Sequence, residues 1–243
     1  MTTGILLLHA FPLDADMWDA QVAGLSEACP VVAVNLPGFG GAPLAERAGW
    51  MDAAADTAAK ALGGTGIDRV VVCGLSMGGY VAFAFARRHP NLVAGLVLAN
   101  TKSGGDDDAG KQRRADLATK LRAEGNDFLA ASPPPLLSEH ASPDLRIAIR
   151  AMIQRQPAEA IARASEAMAD RIDSTPDLAG ITVPPLIITS SADALIPADV
   201  TKPMATQVPG AKLAVIEGAG HLSNLEAPDE FTRLLKEHLA RCQ

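Results

Sequence analysis

Apolar residues along this chain fall into short continuous runs, separated by longer stretches in which they recur every three or four positions. The runs Ile5–His9, Val31–Asn35, Val70–Gly74, Leu92–Ala99, Leu186–Ser190 and Leu213–Glu217 are rich in Val, Ile and Leu and are the length of strands. Helical spacing occupies the intervals around Asp16–Glu27, Trp50–Leu62, Tyr80–Arg88 and Ala198–Gln207, and closes the chain near Asp229–Ala240. Runs that are apolar throughout, rather than alternating, predict strands buried on both faces. Their regular alternation with helices predicts a six-stranded, mostly parallel α/β sheet with helices on both sides.

Between about Thr101 and Thr175 this alternation stops. The segment opens on the turn-like, acidic Ser103-Gly104-Gly105-Asp106-Asp107-Asp108 and continues as helical patterns over Lys111–Glu124, Leu145–Arg155 and Ala158–Met168, interrupted by Pro133-Pro134-Pro135. The expectation is a single domain over 1–243, with a core formed by 1–100 and 176–243. A helical insertion of about 101–175 follows the fourth strand. A chain of 243 residues that is 48% hydrophobic can bury one sizeable core.

The densest chemical signal is Val70-Val71-Val72-Cys73-Gly74-Leu75-Ser76-Met77-Gly78-Gly79-Tyr80, where a β-branched run enters Gly-x-Ser-x-Gly and then a helical pattern. A serine at so sharp a strand-to-helix turn is exposed, and glycines on either side leave room for the reversal. The helix start beside it favours developing negative charge. The alternative for the pentapeptide alone is a structural Gly-rich turn. The strand before it and the helix after it favour a nucleophile elbow with Ser76 as nucleophile.

A nucleophilic serine needs a base, and the chain has five histidines. His89 and His238 fall near helix C-termini, His140 follows the proline cluster, and His9 ends the first strand and shapes the loop after it. His221 lies in Gly218-Ala219-Gly220-His221-Leu222-Ser223-Asn224-Leu225-Glu226, after the last strand-like run. That is the carboxyl edge of a parallel sheet, where ligands bind and where Ser76 also sits. The base in turn needs a carboxylate to fix its tautomer. Asp193, on the loop after the fifth strand, fills that role, and the order Ser76, Asp193, His221 is that of an α/β sheet hydrolase rather than of the chymotrypsin or subtilisin type. Asn100, at the end of the fourth strand, carries no charge and is set aside as the acid. The oxyanion donors expected are the backbone N–H groups of Met77, after the nucleophile, and Phe11, on the loop after the first strand, where Pro12 has none.

These residues, together with Leu6-Leu7-Leu8-His9-Ala10-Phe11-Pro12, Leu36-Pro37-Gly38-Phe39-Gly40-Gly41-Ala42-Pro43 and Gly220-His221-Leu222-Ser223-Asn224-Leu225-Glu226-Ala227-Pro228, resemble the α/β-hydrolase superfamily, in particular its small esterase and enol-lactonase branch. The resemblance covers most of the chain. Ala10 departs from the glycine common in that loop. The resemblance implies an α/β-hydrolase fold whose insertion is a helical cap. It also implies that the antiparallel N-terminal hairpin of many members is missing, since the first strand begins almost at Met1. A cap over the carboxyl edge would line an acyl pocket, for which Phe128, Leu129, Leu136, Leu137, Met152, Ile153 and Met168 are candidates. The same residues could instead bind the cap to the core.

The function expected is hydrolysis of a small carboxylic ester or lactone through an acyl-enzyme intermediate on a Ser-His-Asp triad. Cofactor-free perhydrolase or haloperoxidase activity on the same triad, or a non-catalytic ligand-binding role, are the alternatives. A serine at the elbow, where haloalkane dehalogenases and epoxide hydrolases use aspartate, argues against those two reactions. The one tyrosine, Tyr80, lies outside the insertion. Peptidase activity would need an acidic cap group for a substrate amine, and the glutamates of the insertion leave that open.

A net charge of −7 disfavours nucleic acid and anionic membranes as partners. No run of about 18 apolar residues is present, so no membrane span is expected. The N-terminus lacks a basic leader, which predicts a cytoplasmic enzyme. Three cysteines without metal-ligand spacing imply neither a disulfide framework nor a metal site, and no cofactor is expected. A monomer and a homodimer are equally compatible with the sequence.

Overall fold

The computed structural model describes all 243 residues. Its strands are β1 (Thr3–Leu8), β2 (Val31–Val34), β3 (Arg69–Leu75), β4 (Val93–Ala99), β5 (Pro185–Ser190) and β6 (Lys212–Ile216). They form one sheet in the order β2-β1-β3-β4-β5-β6, and every neighbouring pair is parallel. All of β4, and all of β3 except Arg69, are buried, as expected of central strands covered on both faces. No antiparallel strand joins the sheet.

The chain runs from β1 outward to β2 and then returns to place β3 on the other side of β1. This reversal opens a crevice between the carboxyl ends of β1 and β3, the position where open α/β sheets bind ligands. Leu8 pairs with Gly74 across it, so the loops that follow these two strands leave the sheet side by side.

The helices outside the insertion are α1 (Asp19–Leu25), α2 (Trp50–Ala61) and α3 (Met77–Arg88). Within the insertion lie α4 (Asp108–Glu124), α5 (Asp127–Ala131), α6 (Pro143–Gln154) and α7 (Ala158–Ala169), and after it α8 (Ala198–Gln207), α9 (Ser223–Glu226) and α10 (Pro228–Leu239). Helix α1 packs on α10 and α2 on α3. No helix is long and apolar enough to cross a membrane.

Three details depart from the sequence pattern. The elbow helix begins at Met77, three residues before Tyr80, although Gly78 and Gly79 are poor helix formers. Their value lies in close approach: a Cβ at Gly78 would overlap the Leu8 carbonyl, and one at Gly79 would meet the Thr101 side chain. The first helix divides into a 3-10 turn over Ala15–Trp18 and α1, because the Asp14 carboxylate caps the turn through the Asp16 N–H. The insertion gains a short helix, α5, that the pattern does not show.

Within the insertion α4 lies along α7, and α5 on α6. Arg122 joins α4 to α7 through Glu159 and Glu166. Buried apolar side chains of the insertion, Ile153, Ile161 and Met168 among them, belong to the same contiguous core as Leu6, Val72 and Leu98. Two polar ties reinforce this contact. Buried Asp14, on the loop after β1, receives Arg155 and Gln156 at 2.6–2.8 Å, and Glu226 receives Ser138.

Candidate active site

Strand β3 drives Ser76 to the carboxyl edge, and the turn there is strained: Ser76 adopts φ 56° and ψ −113°. A non-glycine residue held in so sparsely populated a region costs about 1–3 kcal/mol, which the surroundings must offset. They do so by locking the backbone on both sides. The Ser76 N–H donates to the Ala99 carbonyl at 2.9 Å, and the Ser76 carbonyl accepts from the Thr101 hydroxyl at 2.8 Å. Neither Gly74 nor Gly78 could carry a Cβ: at Gly74 it would overlap the Gly78 carbonyl, and at Gly78 the Leu8 carbonyl.

Ser76 lines a cavity of about 670 Å³. Phe11 and Tyr80 form part of its wall, and the insertion contributes Leu117, Leu136 and Met168. Phe11 and Met77 follow the adjacent strands β1 and β3. Neither backbone N–H donates to an acceptor within the chain. Two free donors at neighbouring strand ends, one at the start of α3, are the arrangement an oxyanion requires.

The loop that carries Phe11 is braced from beneath by His9. Its Nδ1 lies 3.0 Å from the Ala10 carbonyl, and its Nε2 accepts from the Leu36 N–H at 3.0 Å, which assigns a neutral ring protonated on Nδ1. Full burial strips the imidazolium of solvent and pushes its pKa down to about 4, against a smaller opposing effect of the Ala10 carbonyl.

His221 and Asp193 are brought together by the loops after β6 and β5. His221 Nδ1 lies 2.8 Å from Asp193 Oδ2, and both side chains are almost wholly buried. Asp193 Oδ1 accepts from the backbone N–H groups of Leu195 and Ile196 at 2.9 and 2.8 Å. Burial is the largest single influence on this carboxyl and acts to raise its pKa. The hydrogen bond and charge of His221, with the Ile196 N–H and the Asn100 amide, outweigh it and hold the group below the usual carboxylate range.

His221 Nε2 is buried and has no hydrogen-bond partner in the chain. The structure does not join it to Ser76 by a hydrogen bond. It does set the pair against the cavity: Leu195 and Ile196, which hold Asp193, both line it, and so does Leu136, whose carbonyl accepts from the Leu222 N–H next to His221.

Asn100, set aside in the sequence for lack of charge, is the residue that reasoning missed. Its side-chain N–H groups reach Asp193 Oδ2 at 2.9 Å and Ser190 Oγ at 2.7 Å, and its Oδ1 accepts from Ser223 Oγ at 2.6 Å. Its φ of 44° is a conformation that Asn tolerates better than most residues, a signal that strand-end position and residue type together could have given.

The structure divides the residues expected at the pocket. Leu136 and Met168 line the Ser76 cavity. Leu137 faces a separate groove along Pro133–Pro135. Leu129 and Ile153 are buried in the core, Met152 packs against it, and Phe128 lies under the Lys120 ammonium. None of those four reaches the cavity, because α5 and α6 turn their apolar stripes toward each other and the core. In their place the cavity receives polar residues from the start of the insertion, Lys102, Asp106, Arg113 and Arg114. Tyr80 reaches it from α3, with the Arg171 guanidinium stacked 4.1 Å from its ring centre.

The chain thus combines a parallel sheet, a strained serine at its switch point and a buried His–Asp pair on the loops after β5 and β6. The model of the Alpha/beta hydrolase family matches residues 5–234, and the chain belongs to that family. It is 30% identical to a pimeloyl-[acyl-carrier protein] methyl ester esterase of Aromatoleum aromaticum, over 96% of each chain. Among solved structures it resembles a thermophilic esterase from Thermogutta terrifontis with malate bound, at 36% identity and a TM-score of 0.92, covering 100% of this chain and 90% of that one. It also resembles the enol-lactonase of Burkholderia xenovorans LB400, at 27% identity and a TM-score of 0.89, covering 99% and 92%.

Proposed function

We propose that this protein hydrolyses small carboxylic esters or lactones through an acyl-enzyme on Ser76. The observation that carries this reading is the buried His221–Asp193 pair at 2.8 Å, whose Nε2 is free and whose carboxylate is held by Leu195 and Ile196, both on the wall of the cavity that Ser76 lines. Relatives named as a methyl ester esterase and an enol-lactonase support the same reaction class.

In this mechanism Ser76 Oγ attacks the carbonyl carbon while His221 Nε2 takes its proton. Asp193 accepts the hydrogen bond of Nδ1–H and stabilises the imidazolium. The Phe11 and Met77 N–H groups receive the oxyanion. His221 then protonates the leaving alcohol, or the ring oxygen of a lactone. Water, activated by the same Nε2, releases the acid and restores Ser76. Catalytic hydrogen bonds commonly tighten only when substrate fills the site, so this course requires no Ser76–His221 hydrogen bond beforehand. The helices α4–α7 act here as a cap that walls the cavity and limits water.

The test is hydrolysis of p-nitrophenyl esters from acetate to decanoate, beside a panel of lactones, by the wild type and by Ser76→Ala. Turnover that falls by about 10⁶ in the variant is expected of a lost triad nucleophile. A folded Ser76→Ala protein with the wild-type rate overturns the assignment.

A further inference from the structure

The Ser76 cavity has two kinds of wall. One is apolar, with Phe11, Leu117, Leu136, Met168, Leu195 and Ile196. The other is charged, with Lys102, Arg113 and Arg114 beside Asp106 and Asp107. The two carboxylates are already committed. Asp106 is engaged by Lys102 at 3.0 Å, by Arg171 at 2.8 Å and by Arg114; burial acts to raise its pKa, and the two arginines outweigh it and hold the group far below the usual range. Asp107 caps α4 by accepting from the Gly110 N–H at 2.7 Å. The lining therefore carries three cations against two carboxylates, and Arg171 adds a further cation at Asp106, in a chain whose net charge is −7.

Arg113 stands apart from the rest of that group. It makes no hydrogen bond and no ion pair, and among the arginines only Arg150 shares this state. Arg150 lies on the separate groove along Pro133–Pro135, whereas Arg113 lines the Ser76 cavity. Arg113 is exposed, and its guanidinium stands without a partner on the lining of the cavity that Ser76 shares, where it is a ready receptor for an anion. Its planar fork matches a carboxylate, and the surrounding positive excess is focused by the low-dielectric wall.

We propose that Arg113, flanked by Lys102 and Arg114, is a subsite for a carboxylate carried by the substrate. The preferred substrates are then monoanions with an apolar link: half-esters of dicarboxylic acids, or lactones bearing a carboxylate side chain. One free guanidinium matches one carboxylate. This proposal rests on the ester hydrolase reading above and adds to it the charge of the substrate.

The experiment compares monomethyl esters of straight-chain dicarboxylic acids with the dimethyl esters of the same acids, taking the ratio of kcat/KM values. A charged hydrogen bond predicts a wild-type ratio of about 10 to 100 in favour of the monoanion. The preference should sit mainly in KM and weaken in 0.5 M salt, on the basis of screening. Arg113→Gln, an exposed change that breaks no contact, should bring the ratio to within about threefold of unity. Arg150→Gln removes an equal charge elsewhere and should leave the ratio as in the wild type. A wild-type ratio near unity, or a preference that survives Arg113→Gln, overturns the proposal. Loss of both activities in Ser76→Ala tests the nucleophile separately. If the wild type turns over neither ester, calorimetric binding of monomethyl against dimethyl adipate decides: tighter monoanion binding lost in Arg113→Gln supports the subsite, and equal binding rejects it.

Discussion

Glu226 holds Ser138: its carboxylate accepts from the Ser138 backbone N–H at 3.0 Å and from the Ser138 hydroxyl, and its Oε1 also accepts from the Gly220 N–H at 2.9 Å. One side chain thus fastens the proline-rich loop of the insertion to the residue before His221. Gly220 packs against this junction so closely that a Cβ there would overlap the Ser138 backbone.

Glu226→Ala should therefore loosen two things together. Hydrogen bonds to a charged group are each worth about 1.5–3 kcal/mol, and their partial exposure here lowers the sum. We expect a loss of about 2 kcal/mol, a fall in Tm of roughly 4–8 °C, and a drop in kcat of about tenfold. Limited proteolysis should cut the 133–141 loop faster in the variant. An unchanged cleavage pattern with unchanged kcat would show that the junction does not govern the His221 loop.

Asn100→Ala removes the amide that Asp193 Oδ2 shares with His221, and strands the Ser223 hydroxyl. Buried groups left without partners cost about 1–3 kcal/mol. The amide also helps hold Asp193 ionised, so its loss should move the acidic limb of the kcat/KM profile toward higher pH while kcat falls. A variant that is less stable but keeps the wild-type pH profile would make Asn100 purely structural.

Acid should weaken the fold through His9. Its folded pKa is about 4, against an ordinary 6.5, so the unfolded chain binds more protons between those values. The neutral ring therefore contributes its full stability above pH 6.5, and that contribution is lost as pH falls toward 4. Over that window one such group is worth ~3 kcal/mol. Urea melts of the wild type from pH 7 to pH 4 should show the slope, and His9→Gln should flatten it. A slope that His9→Gln leaves intact would assign it elsewhere, with His238, also lowered to about 4 mainly by burial, as the next group to test.

Gly78→Ala should be far more damaging than a one-carbon change suggests. The added methyl would collide with the Leu8 carbonyl, which is fixed in the β1–β3 ladder and cannot move aside. We expect a loss above about 3 kcal/mol, beyond the range of ordinary overpacking, seen as a large drop in Tm or in soluble yield. A soluble Gly78→Ala protein with near wild-type Tm would contradict the packing described at the elbow.

The sheet was legible because its strands are buried on both faces, and continuous runs such as Val70–Val72 and Leu96–Leu98 have no other use. Ser76, Asp193 and His221 could be named because each sits just past such a run, where position narrows the choice to a few residues. The cavity wall was not legible. Ile153 and Met168 are both apolar and buried, and helical spacing marks an inward stripe without saying whether it meets core or cavity. Arg113 and Asn100 escaped for a different reason: a guanidinium without a partner, and an amide between Ser190 and Asp193, are defined by neighbours far away in sequence.

The crowding around Ser76 falls on its neighbours and spares its own side chain. Gly74, Gly78 and Gly79 have no space for one further carbon, whereas the hydroxyl at position 76 meets an open chamber. The turn is thus a socket that prescribes where the side-chain oxygen at position 76 stands.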